Sequence, residues 1–193
     1  MRINGFLFTT YHEIGLAEQG KKYLKKIESL NKTEKNELIQ LNIYQAKADF
    51  YLDDSLPHEA IKEISKGDSL IENITNKEIK TILLATSYLI KGLSYSQLND
   101  LDKAKENLYK SKSLITESSN LILGYTYIGL ADIYLKEKNL KQAFYYLDKT
   151  VLIEQRSNDN QLKFMFNQSW KNYYTQNNQP DLAKKHDITL LKL

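Results

Sequence analysis

The chain of 193 residues carries 27 lysines and arginines against 24 aspartates and glutamates, a net charge of +3. So small an excess gives no electrostatic footprint for direct nucleic-acid binding, and the absence of cysteine removes disulfides and thiolate metal sites. No stretch approaches the ~20 consecutive apolar residues of a membrane span, and the start from Met1 to Thr10 lacks the apolar core of a secretory signal. We therefore expect no membrane contact within this segment and a cytoplasmic location.

Two prolines and seven glycines leave room for long helices almost everywhere. In chain order, helices are predicted near 4–13, 17–30, 35–53, 57–73, 78–98, 101–117, 120–137, 140–156, 160–177 and 180–191. They pair into hairpins at 1–30, 35–73, 78–117, 120–156 and 160–191 of a single repeat domain spanning 1–193. Turns fall at Asp53-Asp54-Ser55-Leu56, Leu98-Asn99-Asp100, Lys138-Asn139 and Asn177-Asn178-Gln179. Asp100 and Asn139 suit the N-cap of the helix that follows. Pro57 and Pro180 occupy the equivalent next place, where a missing N–H costs nothing.

A repeat organises these elements. Gly92, Tyr95 and Ala104 have the same spacing as Ala131, Tyr134 and Ala143, and as Ala48, Tyr51 and Ala60. A fourth copy keeps Tyr174 and Ala183 but has Lys171 at the small position, and Phe8, Tyr11 and Gly20 form a degenerate first copy. The last member of each set stands at 20, 60, 104, 143 and 183, a period near 40. The small residue and the tyrosine lie about one turn apart on a first helix. Alanine on the second helix lets the backbones approach, and the ring fills the gap beside it. Ile64, Leu108 and Leu147 extend that seam four residues on. One hairpin cannot bury its apolar face alone, whereas stacked neighbours can.

These residues resemble the tetratricopeptide repeat family, most closely through Tyr127, Leu130, Ala131, Tyr134 and Ala143, with Tyr44, Ala48, Tyr51 and Ala60 and Tyr88, Gly92, Tyr95 and Ala104 as further copies. The resemblance implies an all-α, right-handed α-α superhelix of about five antiparallel hairpins. It also implies a protein- or peptide-binding module without cofactor or catalytic role. The period is longer than the family's usual 34. Lengthened repeats with segments such as Gly15-Leu16-Ala17-Glu18-Gln19-Gly20 look like the sensor regions of certain bacterial helix-turn-helix regulators and histidine kinases.

In such solenoids the first helices line a concave groove. Counting the small residue as the eighth of a repeat, groove positions include Asn42, Gln45 and Asp49 in the second repeat and Leu89 and Leu93 in the third. Tyr125, Ile128 and Asp132 follow in the fourth, and Gln168 and Asn172 in the last. Family members that hold a C-terminal carboxylate use lysine and asparagine at the fifth and ninth places; Gln45 and Asp49 stand there instead. Amides at these places can pair with an extended peptide backbone, and Leu89, Leu93 and Ile128 offer apolar pockets. Asp49 and Asp132 favour a positively charged partner.

His12, His58 and His186 have no ligand-spaced partner, and no glycine-rich phosphate loop or nucleophile elbow is present, so neither a metal site nor an enzyme is expected. An alternative to groove binding is an assembly domain that dimerises through the C-terminal hairpin. Phe164, Phe166, Trp170 and Leu190-Leu191-Lys192-Leu193 leave apolar surface there.

Overall fold

In a computed structural model of the protein, residues 17–116 and 121–191 are described. They contain helices and turns and no strand. The helix expected at 4–13, with Phe8, Tyr11 and His12, lies outside the described residues. The chain divides into two compact units, Met1–Thr75 and Asn76–Leu193, and each is taken by itself.

The first unit contains α1 (Ala17–Glu34), α2 (Glu37–Asp53), α3 (Pro57–Ser65) and α4 (Asp68–Glu72). Helix α2 packs against the other three. Leu24 and Ile27 of α1 meet Ile43 and Phe50 of α2 in a small core. The α1–α2 turn is fastened by buried Asn31, whose Oδ1 accepts from the Asn36 N–H at 3.0 Å while its amide donates to the Asn36 carbonyl at 3.2 Å.

The expected continuous helix at 57–73 is interrupted in the structure. At the end of α3, Lys66 and Gly67 donate back to Glu63 and Ile64, a tighter i→i+3 pattern that closes the helix. A Cβ at Gly67 would lie 2.9 Å from Leu41 Cδ2, so the break sits where the backbone approaches α2 most closely. Beside it, buried Glu63 is held by Lys66 and faces Lys47 at 3.7 Å, and Lys47 also pairs with Glu28. Three helices thereby share one chain of alternating charges.

The second unit holds three helical hairpins: α5 (Lys77–Gln97) with α6 (Leu101–Leu114), α7 (Leu121–Lys136) with α8 (Leu140–Arg156), and α9 (Asn160–Gln176) with α10 (Pro180–Leu190). First helices run side by side as α5–α7–α9, and each second helix also packs on the next first helix. This is the stacking of an α-solenoid. One apolar core runs through it, from Leu89, Ala104 and Leu108 through Ile128, Leu130 and Ile133 to Phe166, Trp170 and Tyr173.

The small residues sit where backbones meet. Ala60, Ala104 and Ala143 are fully buried, and Ala183 nearly so. Leu108 is the knob between hairpins: a Cβ at Gly92 would fall 2.6 Å from its Cγ, and one at Gly129 would fall 3.1 Å from its Cδ1. The repeat tyrosines are half-buried rather than enclosed. Lysines cover their open faces, with the Lys103 ammonium 5.3 Å from the Tyr95 ring and Lys105 6.0 Å from that of Tyr134.

Each hairpin turn passes through one left-handed residue, five places before the packing alanine: Ser55, Asn99, Lys138 and Asn178. The next N–H then reaches back to the repeat tyrosine's carbonyl, from Leu56 to Tyr51, Asp100 to Tyr95, Asn139 to Tyr134 and Gln179 to Tyr174. This 6→1 bond is the Schellman closure of a helix. Asp100 and Asn139 then cap the second helices, accepting from the Lys103 and Gln142 N–H groups. Pro57 and Pro180 open theirs without a side-chain cap. Asn139→Ala should therefore cost about 1 kcal/mol in urea unfolding, with the same helical circular-dichroism spectrum.

Candidate functional site

The first helices of the second unit bring four polar side chains together. Asp132 of α7 accepts a hydrogen bond at Oδ1 from the Ser169 hydroxyl of α9, at 2.6 Å. One turn on, Lys136 reaches the other way. Its ammonium donates to the Ser96 carbonyl at 2.6 Å and to the Ser96 hydroxyl at 3.2 Å, at the end of α5. The pair thus ties all three first helices, with the cation facing the C-terminal end of α5, where the helix dipole favours positive charge.

Asp132 is left without an ion-pair partner among the described residues, because Lys136 is committed to Ser96. Burial pushes its carboxyl up to about 6, against the opposing pull of the Ser169 hydrogen bond and the Lys136 charge. Asp132 is half-buried, and no hydrogen bond to its second oxygen, Oδ2, is seen among the described residues. Nearby, Leu135, Lys136, Lys138, Leu140 and Gln176 line a shallow pocket at the turn end of the same hairpins.

The other expected groove residues divide. Leu93 is half-buried and touches the next hairpin, since a Cβ at Gly129 would lie 2.9 Å from its Cδ2. Gln168 donates to Asn172 Oδ1 at 3.2 Å along α9, and Asn172 is exposed. The Tyr125 ring is half-buried, and its hydroxyl donates at 2.7 Å to Asp159, the N-cap of α9. Leu89 and Ile128, expected to offer open apolar pockets, instead belong to the core. At Leu89 and Ile128 the fifth place of a first helix turns into the core, so these two side chains hold hairpins together. In the first unit, Asn42 and Asp49 are exposed on α2 and Gln45 is half-buried.

Ser169 and Lys136 were not anticipated. Their signal was the offset between neighbouring copies: the sixth place of one first helix meets the ninth place of the preceding one. Gly129 meets Leu93 in this way, and Ser169 meets Asp132.

Two aromatic clusters flank this face. Tyr109, Tyr134 and Tyr146 join hydroxyls at 2.7 and 3.2 Å, with the last two rings stacked 5.8 Å apart. Burial and the Tyr109 hydrogen bond push the Tyr134 phenol up to about 12, so it remains a neutral donor at physiological pH. In the last hairpin, His186 lies against both Trp170 and Tyr174, its ring 6.1 and 5.7 Å from theirs, with Nδ1 2.8 Å from Asn167 Oδ1. Burial lowers its pKa. His186, which has no ligand-spaced partner in the sequence, is thus part of the packing. Among the described residues no group of three or more histidines and carboxylates is poised for a metal, and no helix is long and apolar enough to cross a membrane.

A family model described as tetratricopeptide repeat matches residues 85–116, which run from the middle of α5 through α6. The matched span contains Gly92, Tyr95 and Ala104 in the geometry described above. This hairpin is similar to a tetratricopeptide repeat. The hairpins α7/α8 and α9/α10 reproduce its turn and its buried alanine. Neither a curated protein nor a solved structure matches the chain. Tetratricopeptide repeats are non-catalytic modules that mediate protein–protein interaction.

Proposed function

We propose that the chain is a protein- or peptide-binding module, and that the first-helix face of α5, α7 and α9 receives an extended segment of the partner. The observation that carries this reading is Asp132, a half-buried carboxylate held by Ser169 with no ion-pair partner among the described residues, on first helices that also carry half-buried Leu93 and Gln168 and exposed Asn172. Polar side chains of this kind pair with the backbone of an extended peptide, and Leu93 adds apolar contact. Asn42, Gln45 and Asp49 occupy the corresponding places on α2 and form the matching face of the first unit. Leu89, Tyr125 and Ile128 act beneath the surface, as supports. The period near 40 supports a role as the regulatory region of a bacterial signalling or transcription-regulatory protein, acting without catalysis of its own.

The test is selection of binders from a displayed library of random 12-residue peptides, followed by the triple variant Leu93→Ala, Gln168→Ala, Asn172→Ala. The expected result is at least about a tenfold loss of affinity with the helical circular-dichroism spectrum retained. The double variant Gln168→Ala, Asn172→Ala, which spares the packed Leu93, should lose affinity with unchanged thermal unfolding. Undiminished binding would remove the face from consideration. A second reading, self-association through the last hairpin, is supported by Phe164, half-exposed where the earlier copies carry buried Ala85 and Gly124. Sedimentation showing a monomer at all concentrations would eliminate it.

A further inference from the structure

Resting on the binding role just proposed, we infer that Asp132 is the anchor for one positively charged side chain, lysine or arginine, of the received segment. Three features of the second unit converge on it. The carboxylate has no cation of its own, since the one lysine within its field, Lys136, spends its donors on Ser96. One oxygen is held by Ser169, while the half-buried side chain leaves Oδ2 without a hydrogen-bond donor among the described residues. The register place itself does not call for a charge, because Leu93 and Asn172 fill it in the neighbouring hairpins without any ion pair. The stack could therefore form with a neutral residue here, and a carboxylate is the costly choice.

A bound ammonium or guanidinium removes that cost. It brings an opposite charge to a group already stripped of much of its water, where a close pair is stronger than at an open surface. Lys136 lies one turn away, reaching toward α5, and repels a cation from that side. No other charged group among the described residues acts on the carboxylate, from α7 or from the helices packed on it. Protonation of Asp132 would abolish the attraction, so the preference is expected to fade as pH drops through about 6.

The experiment uses the full chain and an array of 12-residue peptides with randomised flanks and a central arginine, lysine, glutamine or glutamate. Binding is read at pH 7.5 and pH 5. Arginine and lysine peptides should bind about tenfold tighter than glutamine peptides at pH 7.5, with the margin shrinking at pH 5 and vanishing in Asp132→Asn at both. A margin that survives in Asp132→Asn, or one absent from the wild-type chain, overturns the assignment. Two patterns separate this idea from the one beneath it. Binding that lacks charge preference but is lost on substituting Leu93, Gln168 and Asn172 sinks the anchor and spares the face. Binding that ignores both sets of substitutions, or no binding at all, sinks both.

Discussion

Leu108→Ala is expected to destabilise the second unit by about 3–4 kcal/mol, measured by urea unfolding. Leu108 has no exposed surface and stands between Gly92 of its own hairpin and Gly129 of the next. Truncation removes transfer free energy and leaves a hole that rigid helix backbones on two sides cannot close. A thermodynamic cycle with Gly92→Ala makes the argument sharper. Alone, the added methyl would lie 2.6 Å from Leu108 Cγ and 3.2 Å from its backbone nitrogen. That crowding should cost about 1–3 kcal/mol, partly offset by the better helix propensity of alanine. In the double variant the methyl enters the space that Leu108 vacated. The combined loss should fall short of the sum by at least about 1 kcal/mol. Strict additivity would mean that Leu108 is not wedged between these glycines.

Asp132→Asn should make the protein more stable above pH 7, by about 1–3 kcal/mol, and leave it unchanged near pH 4. The ordinary carboxyl value is 3.8, and the folded value is about 6. The fold therefore prefers the neutral acid. The associated stability is fully present below about pH 4 and is lost as pH rises through 6. Asparagine keeps an acceptor for Ser169 and carries no charge to desolvate, so it retains that stability at every pH. His186 works in the opposite direction. Burial lowers its folded pKa, so its contribution is present above pH 6.5 and is lost as pH falls below it. The Asp132→Asn variant should accordingly expose a stability that only declines on acidification. Equal stability of wild type and variant at pH 8 would show that Asp132 is not desolvated. A gain in stability coupled to the loss of cation preference would mark the residue as one kept for recognition at a cost to the fold.

Much of the architecture was readable because it rests on short-range chemistry at a fixed interval. The set Gly92, Tyr95 and Ala104 and its counterparts located the close approaches, and Pro57 with Pro180 fixed where second helices begin. Asp100 and Asn139 announced their caps. What could not be read depended on three-dimensional neighbours. The interruption at Gly67 arises from the nearness of Leu41. Leu89 and Ile128 have the spacing of a helix face, but which face meets another hairpin depends on how hairpins stack. Ser169 is an unremarkable serine until α9 lies against α7 and its hydroxyl meets Asp132. His186 looks solvated until Trp170 and Tyr174 close around it.

The four left-handed residues at the turns have a consequence for how this chain can change. At each of these turns the first helix is closed by a backbone bond to the repeat tyrosine's carbonyl, and the side-chain caps belong to turn residues such as Asp100 and Asn139, not to the first-helix face. The turns and the exposed part of the displayed surface are therefore encoded by separate letters. Substitutions at exposed places such as Asn42, Asp49 and Asn172 can accumulate, or be selected in the laboratory, without altering how the turns close.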